Sequence, residues 1–155
     1  MKNNIKISLF LFYFLLTLNV SEAQVSINNV KKNYIPLKSI LPTETNFDDF
    51  IPLKKVLQNT KVVLLGEPTH RESNVFEAKT RLIKFLHEEM DFDILVFESG
   101  FYDVYKANKE IEKGVPVKKA FEKSIFHIWT HNKQFQSLIK YIETNKNTLQ
   151  VLGFD

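Results

Sequence analysis

Residues 93–100 have the sequence DILVFESG, a short apolar run that ends in two polar residues and a glycine. An apolar run of this length is typical of a strand that is buried on both faces of a parallel sheet. Similar runs occupy 61–65 (KVVLL) and 148–152 (TLQVL), and each is followed by glycine. The order of these runs and of the helical patterns between them predicts an α/β fold: a partial parallel sheet of about three strands with flanking helices. The helical patterns cover 74–90, 104–113, 117–125 and 132–145.

The N-terminus has the order of features that is typical of a secretory signal peptide. Lys2 and Lys6 give a positive start, and 7–18 (ISLFLFYFLLTL) is almost wholly apolar. Small residues precede a predicted cleavage site between Ala23 and Gln24. The apolar run is short for a membrane span, which takes about 20 residues. We therefore predict export to the periplasm or the exterior, with a retained N-terminal anchor as the alternative and no stable membrane span after cleavage.

The rest of the chain divides into two parts. Residues 24–45 are polar and contain Pro36 and Pro42, which favours a leader without a core of its own. Residues 46–155 carry the α/β pattern, beginning with apolar positions at helical spacing over 47–57. The sequence ends at the carboxyl end of a predicted strand, where such folds normally continue into a helix. This predicts that the 155 residues are the front part of a larger protein.

Composition excludes several classes of protein. With 44% hydrophobic and 25% charged residues, the chain has the composition of an ordinary globular domain. The net charge of +3 is small and evenly spread, so we do not expect nucleic acid as a partner. The absence of cysteine excludes a disulfide framework, a thiolate metal site and a cysteine nucleophile. No phosphate-binding glycine motif is present, and we expect no cofactor. The oligomeric state stays open.

Polar residues follow the predicted strands at the edge where parallel α/β sheets bind ligands. Glu67 and His70 follow the first run, and Glu98 follows the second. A histidine can take a proton from water near neutral pH, and a nearby carboxylate can orient its ring and stabilise its charged form. The sequence thus predicts a catalytic group of His70, Glu67 and Glu98. The alternative is that all three are surface loop residues that form helix caps.

The remaining polar signals are weaker. His127 and His131 are four residues apart, as zinc ligands on a helix are, but no third ligand is near and we predict no metal site. Ser99 lacks the Gly-x-Ser-x-Gly pattern of a nucleophile elbow. His87 is most simply a solvated residue near a helix end.

Several motifs together resemble the erythromycin esterase family. They are GExxH at 66–70, the helix over 74–90 ending in FLHEEM, VFESG at 96–100, ANKE at 107–110, SIF and IWT within 124–130, and VLGFD at 151–155. The resemblance covers residues 37–155, and it lies in the combination of motifs at these spacings.

The resemblance implies a hydrolase that opens macrolide lactones or related esters with water and without a metal, an activity linked to macrolide resistance. Its general base falls on His70, and its acidic partners fall on Glu67 and Glu98. Two departures matter: Arg71 stands where the family usually has glycine, and the family is much longer, with further site residues outside this chain. The alternative is therefore a catalytically silent, truncated fragment or a ligand-binding remnant of such an enzyme.

Overall fold

The computed structural model describes residues 31–32, 34–66 and 72–155 of the chain. The chain divides into two compact units, 1–35 and 36–155. In the first unit the described residues 31, 32, 34 and 35 are all exposed. The predicted signal peptide lies outside the described residues. Within the described ranges, no helix has both the length and the apolar character needed to cross a bilayer.

In the described part of the second unit, two α-helices precede the first of two short strands, and four α-helices lie between the first strand and the second. A 3₁₀ helix, Asp48–Phe50, leads directly into the first α-helix. The elements are α1 Ile51–Leu57, α2 Ser73–Met90, β1 Ile94–Phe97, α3 Phe101–Glu112, α4 Val117–Phe121, α5 His127–Thr130, α6 Gln136–Asn145 and β2 Gln150–Gly153. The predicted α/β class with flanking helices is confirmed. Helix α3 begins three residues earlier than predicted, α4 ends four residues earlier, α6 begins four residues later, and the single turn α5 was not predicted.

The sheet is parallel, as predicted. β1 pairs with β2 in a register that runs from Ile94 opposite Gln150 to Phe97 opposite Gly153. Because side chains alternate along a strand, one face of the sheet packs on the core through Phe97 and Val151. On the other face, Ile94 is half exposed.

The predicted strand over 61–65 is wrong. The described residues form a two-stranded sheet, and 62–66 belong to no helix or strand. The side chains of this segment alternate: Val63 and Leu65 pack against the core, whereas Val62 is 71% and Leu64 is 89% exposed. The apolar run predicted a strand buried on both faces, whereas one side of the segment is exposed. A strand also needs a hydrogen-bonded neighbour, and the sequence does not specify one.

The buried apolar residues form two clusters. The larger cluster joins α2, the sheet and α3 to α6, and its fully buried members include Val104, Val117 and Phe121. In the smaller cluster, Phe50 and Phe85 hold the 3₁₀ helix against α2, with ring centroids 5.0 Å apart. Helix α3 packs against β2, and α6 packs against α4. The predicted site begins at the carboxyl end of this sheet.

Candidate functional site

Glu98 lies at the carboxyl end of β1, at the centre of a tight turn. The Ser99 N–H donates to the Phe97 carbonyl over 2.9 Å, which closes a three-residue turn around Glu98. Turns of this kind are common at strand ends. The Glu98 side chain is exposed. Glu98 thus directly follows β1, and its exposure is compatible both with the predicted catalytic group and with the alternative of a surface loop residue.

The ends of the two strands are tied together by backbone hydrogen bonds. The Phe154 N–H donates to the Phe97 carbonyl over 3.1 Å, and the Asp155 N–H donates to the Ser99 carbonyl over 3.2 Å. In return, the Phe101 N–H donates to the Asp155 carbonyl over 3.0 Å. The turn that carries Glu98 is thus held by residues on both sides of it.

Gly153 is the point where the two strand ends come closest. A Cβ atom on Gly153 would lie 2.4 Å from the Ser99 carbonyl oxygen and 3.0 Å from the Gly100 carbonyl oxygen. Such a distance to backbone cannot be relieved by turning a side chain, so only glycine fits at this position. A glycine at the end of a strand is a sequence signal for close backbone approach, but it does not identify the neighbour.

Ser99 ties the same turn to a third segment. Its side chain is fully buried, and its Oγ accepts a hydrogen bond from the Phe126 N–H over 3.2 Å. Phe126 immediately precedes α5, so the hydroxyl joins the β1 turn to the loop between α4 and α5. The sequence around Ser99 bears only on whether this residue is a nucleophile. The sequence gives no indication of the structural role of Ser99, apart from showing a small polar residue after a predicted strand.

Glu67, His70 and Arg71 lie outside the described residues. The predicted approach of His70 and Glu67 to Glu98 therefore remains a prediction. What the described residues show is Glu98 in a turn whose flanking residues are hydrogen-bonded to residues 154–155 and to Phe126.

The surroundings of the turn are both acidic and aromatic. Asp103 lies in the first turn of α3, where the helix dipole favours a negative charge. Phe101 and Phe154 are each more than 60% exposed, and Phe126 is 44% exposed. The Phe101 N–H donates to the Asp155 carbonyl and the Phe154 N–H to the Phe97 carbonyl, while the Phe126 N–H donates to the Ser99 hydroxyl.

The other histidines have local partners. The rings of His127 and His131 have centroids 4.6 Å apart, and the described residues contain no group of three or more His, Cys, Asp or Glu side chains placed to hold a metal. His87 is not simply a solvated helix residue, because its Nδ1 lies 2.6 Å from the Tyr141 hydroxyl. Burial, together with a hydrogen bond to Glu88, raises the pKa of that hydroxyl.

Two curated proteins are similar to this chain. Erythromycin esterase type II of Escherichia coli is 32% identical over 128 residues, which are 81% of this chain and 30% of that protein. The Bacillus subtilis protein YbfO, whose name gives it provisionally as a hydrolase, is 38% identical over 106 residues, which are 66% of this chain and 23% of that protein. The chain therefore spans less than a third of the length of either relative. No model of a known protein family matches it.

Two solved structures are similar as well. A protein from Bacillus cereus superposes with a TM-score of 0.68 at 27% identity, covering 81% of this chain and 31% of that chain. A succinoglycan biosynthesis protein superposes with a TM-score of 0.67 at 30% identity, covering 86% of this chain and 36% of that chain. Of the two curated relatives, one is named as an esterase and the other as a hydrolase.

Proposed function

We propose that this chain belongs to the erythromycin-esterase-like proteins and that its site hydrolyses a carboxylic ester or lactone. The proposal is supported by similarity to erythromycin esterase type II over 81% of the chain. The structural observation that carries it is the position of Glu98, exposed on a fixed turn at the carboxyl end of the sheet.

In the proposed reaction His70 is the general base. Its imidazole takes a proton from a water molecule while the water oxygen forms a bond to the ester carbonyl carbon. The tetrahedral intermediate then collapses, the bond from carbon to the alkoxy oxygen breaks, and the imidazolium returns the proton to the leaving alcohol. The products are a carboxylic acid and an alcohol, or a single hydroxy acid when the substrate is a lactone. The proposed steps use only these side chains and water, so they require no metal and no cofactor.

Glu67 and Glu98 are the proposed acidic partners of His70. A carboxylate beside an imidazole orients the ring and stabilises the imidazolium that forms during the reaction. Glu98 suits this role because hydrogen bonds on both sides of its turn hold its backbone in place. Positioning matters for the rate because a displacement of about 1 Å can slow a reaction about 100-fold.

The experiment that tests this function uses ester hydrolysis by the full chain. Erythromycin is a probe for lactone opening, and a chromogenic p-nitrophenyl ester is a probe for general esterase activity. We expect His70→Ala to abolish hydrolysis and Glu98→Gln to reduce it, with Glu110→Gln as the matched control on an exposed glutamate of α3. Unchanged hydrolysis in His70→Ala would disprove the assignment.

A catalytically silent remnant is the second candidate, and Arg71 favours it. A large cationic side chain would stand beside the proposed base where the family usually has glycine. Arginine would also be strained if the backbone there has positive φ. The full chain is measured for a cooperative thermal transition and for hydrolysis. Folding without turnover, with turnover gained in Arg71→Gly, would establish the remnant, whereas turnover in the unmodified chain would exclude it.

The substrate class is part of the proposal. Macrolide lactones are the proposed substrates, because one relative is named as an erythromycin esterase.

We also propose export, with residues 1–23 as the signal peptide, 24–45 as the leader and 46–155 as the α/β domain. Deletion of residues 2–23 should leave the protein inside the producing cell, as cell fractionation would measure.

A further inference from the structure

Helix α3, which begins directly after the Glu98 turn, carries two exposed tyrosines on adjacent turns. Tyr102 is 65% exposed and Tyr105 is 49% exposed. Their rings are stacked, with centroids 6.4 Å apart and planes inclined by 24°. Solvent-facing helix positions are normally polar, so a stacked aromatic pair in such a position is unusual.

Two lysines extend this aromatic pair. Lys106 Nζ lies 5.4 Å from the centroid of the Tyr102 ring, and Lys109 Nζ lies 5.7 Å from the centroid of the Tyr105 ring. We call Tyr102, Tyr105, Lys106 and Lys109 the α3 stripe. The core-facing side of the same helix consists of the buried Val104 and Ala107, which explains why α3 folds in this position and leaves the stripe exposed.

We propose that the α3 stripe binds an oligosaccharide that carries carboxylate groups, and that it does so next to the ester-hydrolysis site. Aromatic rings pack against the C–H faces of sugar rings, and two rings on successive helical turns suit a ligand that extends along the helix. Tyrosine hydroxyls and lysine ammonium groups can hydrogen-bond to sugar hydroxyls, and Lys106 complements a carboxylate. The inference rests on the proposed function in one respect: the bound oligosaccharide would carry the ester that lies beside Glu98.

The charges on α3 favour a sparsely charged ligand over nucleic acid. The helix contains Lys106 and Lys109 but also Asp103, Glu110 and Glu112. The Lys109 Nζ is already 2.8 Å from both carboxylate oxygens of Glu112. A polyanion with a charge on every unit would be repelled by these carboxylates. A glycan with a carboxylate on every second sugar can place one carboxylate beside the exposed Lys106.

The test is direct binding to the full chain by isothermal titration calorimetry. The probe is hyaluronan hexasaccharide, with the uncharged cellohexaose and the polyanion hexathymidylate for comparison. We expect binding of the hyaluronan probe to weaken by about tenfold in Tyr102→Ala and in Tyr105→Ala, a change that corresponds to about 1.4 kcal/mol. Tyr102→Phe keeps the ring and should keep most of the affinity. Lys106→Met should remove the preference over cellohexaose.

The matched control is Tyr34→Ala, which removes an equally exposed tyrosine at 67% exposure elsewhere in the chain. Binding that is absent, or that is equally strong in the Tyr102→Ala and Tyr105→Ala variants, overturns the proposal, as does tighter binding of hexathymidylate. His70→Ala separates this proposal from the proposed function. Tyrosine-dependent binding that persists in His70→Ala supports the glycan surface whether or not the chain hydrolyses esters.

Discussion

The guanidinium of Arg81 forms two hydrogen bonds to the carboxylate of Asp49, of 2.6 and 2.8 Å, and both side chains are almost completely buried. The pair joins α2 to the 3₁₀ helix. The carbonyls of Ser39 and Asn46 accept two further hydrogen bonds of 2.7 Å, and the Phe50 ring centroid lies 4.6 Å from the guanidinium carbon. One arginine therefore holds the segment that precedes α1 against the longest helix of the second unit.

Asp49→Asn should destabilise the protein strongly. An asparagine is nearly the same size, but it leaves the Arg81 charge buried without its counter-ion. Loss of one partner of a buried ion pair costs about 3–5 kcal/mol. The measurement is the free energy of unfolding from urea denaturation.

The control for that change is Asp48→Asn. Asp48 is adjacent, its side chain is 61% exposed, and its Oδ2 lies 3.7 Å from the equally exposed Lys38 Nζ. Surface ion pairs contribute about 0–1 kcal/mol, so this variant should unfold much like the unmodified protein. Equal effects of the two substitutions would mean that the Arg81 pair does not stabilise the fold.

The same pair predicts a loss of stability in acid. The hydrogen bond from Arg81 lowers the pKa of Asp49 from 3.8 to about 2. Because the pKa is lower in the folded protein, the stabilisation is complete above pH 3.8 and is lost as the pH falls towards 2. One pKa unit corresponds to about 1.4 kcal/mol, so the loss is about 2 kcal/mol.

Urea unfolding measured at intervals between pH 5 and pH 2 checks this loss. The unmodified protein and Asp49→Asn should converge in stability by about 2 kcal/mol over that interval. A difference between them that stays constant with pH would show that Asp49 has an ordinary pKa in the folded protein.

Helix α2 illustrates what could and could not be predicted from the sequence. Its apolar positions at helical spacing predicted the helix over 74–90, and the structure places it at Ser73–Met90. Arg81 in the middle of that helix is charged and would normally be expected at the surface. Its burial depends on Asp49, which lies 32 residues earlier, and helical periodicity carries no information about such a distant partner.

The segment 61–65 gives a third prediction because its neighbouring leucines differ in burial. Leu64 is 89% exposed, whereas Leu65 packs against the larger core cluster. Leu64→Lys should change the free energy of unfolding by less than about 0.5 kcal/mol, and Leu65→Lys should reduce it by several times that amount. Thermal or urea unfolding of the two variants checks the difference. Strong destabilisation by Leu64→Lys would instead indicate that this segment is a strand buried on both faces, as the sequence alone predicted.

The candidate site was predictable only in part. Strand ends in a parallel sheet meet at one edge, and this rule correctly placed Glu98 there. The rule says nothing about what holds the turn in place. The hydrogen bond from the Phe126 N–H to the Ser99 hydroxyl joins segments 27 residues apart, and it depends on the packing of α4 and α5.

Ser99→Ala should weaken this connection. The substitution removes the acceptor of the Phe126 N–H, and a hydrogen bond of this partly buried kind contributes about 0.5–1.5 kcal/mol. Ser124→Ala is a suitable control because Ser124 is also buried but donates only to the Ala120 carbonyl within its own segment. Urea unfolding should show a clearly larger loss for Ser99→Ala. Equal losses would mean that the contact between Ser99 and Phe126 contributes little.

Gly153→Ala should both destabilise the protein and displace Glu98. The new Cβ would lie 2.4 Å from the Ser99 carbonyl oxygen, so β2 and the Glu98 turn must move apart. Overpacking of this kind costs about 1–3 kcal/mol. The control for stability is Gly66→Ala, because a Cβ at Gly66 has no described atom within 4 Å. Urea unfolding gives the stability of both variants. Ester hydrolysis by Gly153→Ala is compared with that of the unmodified protein alone, since Gly66 belongs to the motif of Glu67 and His70. A lower rate in folded Gly153→Ala would link the close approach of the strands to catalysis, whereas unchanged stability in that variant would contradict the close approach itself.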